Sequence, residues 1–154
     1  MDKNLLTLID TAIHREEDAY AFYMAIHGRV LDAGVKDAIQ WIAGEEQKHR
    51  AFLVKYREGG HGQVELRLSD VVYYKIAEHQ AEPAVSMDMS SSEVYLVAAH
   101  REARSHLFYA ELANQHPAGD VRNMLLKMAN EELKHKEKME YLYSNTAFAQ
   151  TAGG

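Results

Sequence analysis

The chain has 154 residues, about 47% of them apolar, with a net charge of −6, two prolines and no cysteine. That is enough chain for one ordinary core, and its scarcity of turn formers favours helices over many short strands. The charge leaves no basic stripe for phosphates, and the missing cysteines exclude disulfides, thiolate chemistry and any iron–sulfur or Cys-ligated metal.

Apolar residues at helical spacing predict a first helix over 4–30, with Leu5, Ile9, Ala12, Tyr20, Tyr23 and Val30 on one stripe. Leu31–Gly34 interrupts it, and a second helix is expected over 35–57, facing inward with Ile39, Ile42, Leu53 and Tyr56. The glycines at 59, 60 and 62 end that helix. Residues 58–90 form a long connection in which Asp70 heads a short helix through Val71, Val72, Tyr73 and Ile76. Ser90–Glu93 offers N-caps for a third helix over 91–115. After the break at His116–Asp120 comes a fourth over 121–143, carrying Val121, Leu125, Met128, Met139 and Leu142. The small, uncharged residues 146–154 read as a flexible tail.

The chain repeats itself at a distance of 86 positions. Glu16, Glu46 and His49 recur as Glu102, Glu132 and His135, and Ala12, His14, Arg15, Phe22 and Tyr23 recur as Ala98, His100, Arg101, Phe108 and Tyr109. Connections that run short, long, short join two duplicated αα-hairpins through a crossover. This is the ferritin-like four-helix arrangement, expected here as one all-α domain over 1–145.

Each of the four acids lies within an apolar stripe. A buried carboxylate without compensation costs several kcal/mol, so four in one core call for a counter-charge. Arg50 and Lys136 stand only at the margins of these stripes. Two divalent cations would balance four carboxylates, and His49 and His135, three residues after Glu46 and Glu132, would complete the coordination. One Glu from each of two helices and a Glu-x-x-His from each of the other two form a known class of dinuclear centre. The donors suit iron or manganese, with zinc also accommodated. A lone Glu-x-x-His is usually a solvated face; two, each with a partner Glu at the same separation, are not.

Glu45 and Glu131 read as neighbours of the ligands that either support them from behind or face solvent, and Glu17 stays outside the set because position 103 is alanine. Tyr23 and Tyr109, seven residues after Glu16 and Glu102, fill core and are placed to hydrogen-bond ligand carboxylates. His14 and His100 fall on the opposite face, and His27, His61, His79 and His106 follow no pattern.

The paired motifs, Glu16-x-x-Ala19-x-x-x-Tyr23 with Glu45–His49 and Glu102-x-x-Ser105-x-x-x-Tyr109 with Glu131–His135, resemble the rubrerythrin branch of the ferritin-like superfamily over about residues 5–144. The resemblance implies a non-haem di-iron centre, two irons held by the six residues, acting as a peroxidase or ferroxidase on hydrogen peroxide or oxygen. Rubrerythrins usually add a Cys-ligated rubredoxin domain; this chain has neither the cysteines nor the length, so an external electron-donor protein is expected. The family's extra carboxylate three residues before the third-helix Glu is replaced here by Ala99. By the same analogy the protein is expected to be a homodimer, with exchange of hairpins between chains as a second arrangement. The N-terminus Met1–Leu5 lacks a signal-peptide pattern and no apolar run reaches membrane length, so a cytoplasmic protein without nucleic-acid or membrane partners is expected. Two other functions fit the residues: iron buffering or delivery without turnover, and a structural bundle using the crossover as an interaction surface.

Overall fold

A computed structural model describes residues 3–59, 76–85 and 89–152. Among the described residues all regular structure is helical: α1 (Lys3–His27), α2 (Ala33–Arg57), α3 (Ile76–His79), α4 (Ser91–Asn114) and α5 (Asp120–Ala152). The chain divides into two compact units, Met1–Glu65 and Leu66–Gly154, each holding one copy of the repeat.

In the first unit α1 packs on α2. The buried row of α1 is Ile9, Ala12, Ile13, Glu16, Ala19, Tyr23 and Ile26. That of α2 is Val35, Ile39, Ile42, Ala43, Glu46, His49, Leu53 and Tyr56. Steps of three and four keep each row on one side of its helix, so Glu46 and His49 occupy core positions in an otherwise apolar sequence.

The ends of the hairpin are built locally. α1 stops at His27, short of the expected Val30, in a tightened turn where the Arg29 N–H donates to the Ile26 carbonyl three residues back at 2.9 Å. Lys36 Nζ donates to the His27 carbonyl at 2.5 Å, satisfying an orphan acceptor of α1 from the first turn of α2. α2 starts two residues before the expected 35 because Asp32 caps it, its Oδ1 accepting from the Val35 N–H at 3.0 Å. It ends where Gly59 takes a φ of +85°.

In the second unit α4 packs on α5. Ser90 and Glu93 form a reciprocal capping box at the head of α4. The expected short helix headed by Asp70 lies, for residues 70–75, outside the described residues; the described α3 starts at Ile76. Polar contacts dock this part of the crossover. Ala77 N–H donates to Glu140 Oε2 of α5 at 2.7 Å, His100 Nε2 meets the Gln80 carbonyl at 2.8 Å, and Arg104 grips Glu82 with bonds of 2.6 and 3.0 Å. α5 continues to Ala152 instead of ending near 143. The residues read as a flexible tail contain alanines and no proline or glycine before Gly153, so nothing in the backbone breaks the helix.

Candidate metal centre

In the first hairpin the row positions bring two carboxylates and an imidazole together. One ligand atom each from Glu16, Glu46 and His49 lies within 4.8 Å of the others. Glu16 Oε1 is 3.6 Å from His49 Nδ1, and both side chains are almost wholly buried. The second hairpin repeats this geometry. Glu102, Glu132 and His135 offer ligand atoms within 4.8 Å of one another, and Glu102 Oε2 is 3.6 Å from His135 Nδ1. Glu132 is 0% exposed and Glu46 2%, so the acids read from the apolar stripes are core residues.

Two carboxylates and a neutral imidazole carry a charge of −2, which one divalent cation balances. Donor atoms held at about 2.1 Å from one ion lie at most about 4.2 Å apart, so each cluster closes on an ion with small side-chain rotations. The set is all oxygen and nitrogen, which suits iron, manganese or zinc. The other cations of these faces are engaged elsewhere: Arg50 Nε bonds Glu17 at 3.0 Å, and Lys136 Nζ bonds Glu140 at 2.8 Å and Glu78 at 2.9 Å.

The surroundings repeat too. Tyr23 and Tyr109 are buried, each meeting the preceding phenylalanine edge-on, with ring centroids 5.6 Å apart for Phe22–Tyr23 and 5.2 Å for Phe108–Tyr109. Glu45 and Glu131 each hold the lysine three residues on, Lys48 and Lys134, at 3.1 Å. Glu131 is nevertheless buried, against the solvent-facing alternative, and is itself placed to offer a ligand atom. His14 is exposed; His100 faces the crossover at Gln80; His106 Nδ1 lies 2.7 Å from the Ala129 carbonyl. His79 is exposed at the end of α3, and His61 lies outside the described residues.

Two features escaped the sequence reading. The first is the charge network in which the buried pair Lys136 and Glu140 reaches the half-exposed Glu78. Its signal was weak because position 54, the counterpart of Glu140, is valine, so the repeat does not flag it. The second is a cleft of about 420 Å³ in the first hairpin, lined by Glu16, Glu17, Tyr20, Gln47 and Arg50. Glu17 and Arg50 were discounted for being unrepeated or marginal, and that departure from the repeat was the available signal.

No helix among the described residues is long and apolar enough to cross a membrane. The rubrerythrin family profile matches residues 7–92, spanning α1, α2, the crossover and the first residues of α4. Glu102, Glu132 and His135 lie beyond the matched segment and stand on the internal repeat. No curated protein and no solved structure shows significant similarity to the chain. With more than half its length matched and a buried carboxylate–imidazole cluster in each hairpin, this all-α chain of the ferritin-like class belongs to the rubrerythrin family.

Proposed function

We propose that the two clusters close on a single dinuclear iron centre and that the protein is an oxidoreductase, reducing hydrogen peroxide or oxidising Fe²⁺ with an external electron donor. The observation that carries this reading is the duplicated trio of two buried carboxylates and one imidazole, Glu16/Glu46/His49 and Glu102/Glu132/His135. Bound iron supplies the two-electron chemistry; the chain supplies charge balance, rigidity and dryness. The four carboxylates neutralise two divalent ions, and their backbone positions on long helices hold the donors in place. Burial keeps bulk water from the site and strengthens every electrostatic interaction within it. We assign Tyr23 and Tyr109 hydroxyls to ligand carboxylates, orienting them as an outer layer of hydrogen bonds. With no cysteine in these 154 residues to carry a redox iron or thiol, the electrons come from a separate donor. A homodimer, with hairpins paired within or between chains, is part of the same proposal.

The missing cysteines also favour one second reading, an iron-buffering or delivery protein without turnover. An anaerobic Fe²⁺ titration of metal-free protein tests the centre: saturation at two irons per chain, abolished by Glu46→Ala or Glu132→Ala, is expected. One loose iron, or none, rejects it. Stoichiometric oxidation of the loaded protein by peroxide within seconds separates the enzyme from the buffer, which would oxidise slowly and release Fe²⁺ to a chelator.

A further inference from the structure

We infer that divalent cations reach the centre through the cleft of the first hairpin, with Glu17 and Arg50 as the residues that select for them. This rests on the dinuclear reading above. The cleft is about 420 Å³ and its lining includes Glu16, itself a ligand candidate only 3% exposed. The same cavity therefore joins a buried donor to the protein surface. A divalent ion with six waters occupies roughly 180 Å³ at about 30 Å³ per water, so the cleft admits the ion with its hydration shell.

Glu17 and Arg50 stand at this opening as a half-exposed pair, Arg50 Nε to Glu17 Oε1 at 3.0 Å. Exposed ion pairs contribute only about 0–1 kcal/mol, so this one opens readily. A divalent cation attracts the Glu17 carboxylate with twice the charge of the guanidinium and displaces it. Glu16, one residue earlier in the chain, is the next carboxylate along the lining, while Tyr20 and Gln47 provide uncharged oxygens to an ion shedding water. The lining sums to one negative charge, which draws cations, repels small anions and is indifferent to neutral peroxide.

The second hairpin has lost each of these features. Its counterparts of Glu17, Tyr20, Gln47 and Arg50 are Ala103, His106, Leu133 and Lys136. Alanine and leucine offer an ion nothing, and His106 is engaged with the Ala129 carbonyl at 2.7 Å. The Lys136 side chain is 4% exposed and tied to Glu140 and to Glu78 of α3, so the crossover covers the position that Arg50 leaves open. The ligand candidates match between the two copies, whereas the other residues that line the first hairpin's cleft do not.

The test is stopped-flow uptake of Co²⁺ by the metal-free protein, followed by the visible absorption of the bound ion. Glu17→Gln is expected to slow uptake about tenfold at low ionic strength, with the difference shrinking as salt rises and the final stoichiometry unchanged. Arg50→Gln is expected to speed it about threefold by freeing the carboxylate. Ala103→Gln, at the position that corresponds to Glu17 in the second hairpin, should leave the rate within about twofold of wild type. Full stoichiometry with rates insensitive to Glu17→Gln and Arg50→Gln would overturn the route and leave the dinuclear centre standing. Failure of the wild-type protein to take up Co²⁺ would overturn both.

Discussion

The two hairpins carry their ligand trios in the same register and treat the cation after the histidine in opposite ways. In α2 that residue is Arg50, half-exposed beside an open cleft and paired with Glu17. In α5 it is Lys136, buried and bonded at 2.8 Å to Glu140, which also accepts the Ala77 N–H at 2.7 Å. The Glu–His distance, by contrast, is 3.6 Å in both copies. The difference teaches where a duplicated chain is free to diverge. The ligand-candidate positions stay in step, while those one position aside diverge, Arg50 lining a cleft and Lys136 anchoring the crossover.

The sharpest way to break this comparison is to remove the cation on each side. Lys136→Ala leaves Glu140 buried and charged and is expected to cost about 3–5 kcal/mol in denaturant unfolding. Arg50→Ala removes only an exposed pair and should fall within about 1 kcal/mol. Equal effects would mean that the charge network of α5 is no more structural than its surface counterpart. The double change Lys136→Met with Glu140→Leu should recover only part of the loss, since it removes the buried pair but also takes the acceptor from the Ala77 N–H and the cation from beside buried Glu137.

Metal removal probes what the hairpins share. Metal at 100 times its dissociation constant stabilises the native state by about 2.7 kcal/mol, so chelation should lower Tm measurably in calorimetry. Glu46→Gln and Glu132→Gln should each raise the stability of the metal-free protein by relieving carboxylate repulsion and remove most of the response to added metal. A response that vanishes for one variant and persists for the other would show that the two trios are not equivalent.

Acid distinguishes the hairpins again, through the crossover. Burial, the largest single influence on Glu78, pushes its carboxyl up, but the hydrogen bond from Lys136, a backbone bond and nearby positive charge together hold it below the usual 4.5. Glu82 is held below the same value chiefly by its hydrogen bond from Arg104. A carboxylate whose folded pKa is depressed contributes stability above its unfolded value, and that contribution is lost as pH falls through the folded one. Docking of residues 76–85 should therefore hold at neutral pH and weaken below about 4.5, the unfolded-state value of both groups. Hydrogen exchange at Ala77 against pH checks this, and Glu82→Gln should weaken the docking already at neutral pH.

The smallest expected difference lies at the helix heads. Asp32→Ala in the first hairpin and Ser90→Ala in the second should each cost about 1 kcal/mol, because each removes an acceptor for an orphan N–H at a helix start. Thermal denaturation of the two variants side by side would show whether the hairpins are equally dependent on local capping.

Much of the architecture was legible before any coordinates. Ile39, Ile42, Leu53 and Tyr56 marked one face of α2, and Glu46 and His49 stood out as ligand candidates because they interrupt that face at the same phase as Glu132 and His135 in α5. Burial of a carboxylate within an apolar row is costly, so its repetition is informative. Helix ends were read less well. Val30 belonged to the apolar pattern yet lies past the end of α1, where carbonyl capping by Lys36 and the turn at Ile26 decide the boundary. Residues past 143 lacked an apolar pattern yet continue α5 to Ala152, with no proline or glycine before Gly153 to break it.

What the sequence determined by itself was the all-α class, the duplication, the six ligand candidates and the cap at Ser90, because periodicity and capping act within a few residues of chain; the cap at Asp32 came from the structure. Only the tertiary structure decided which of two equivalent cations lies buried and which lines a cleft. Glu17 is 33 residues from Arg50 and Glu78 is 58 from Lys136. Whether such pairs meet depends on how α1 lies on α2 and how α3 lies on α5, and no local pattern in the chain encodes that packing.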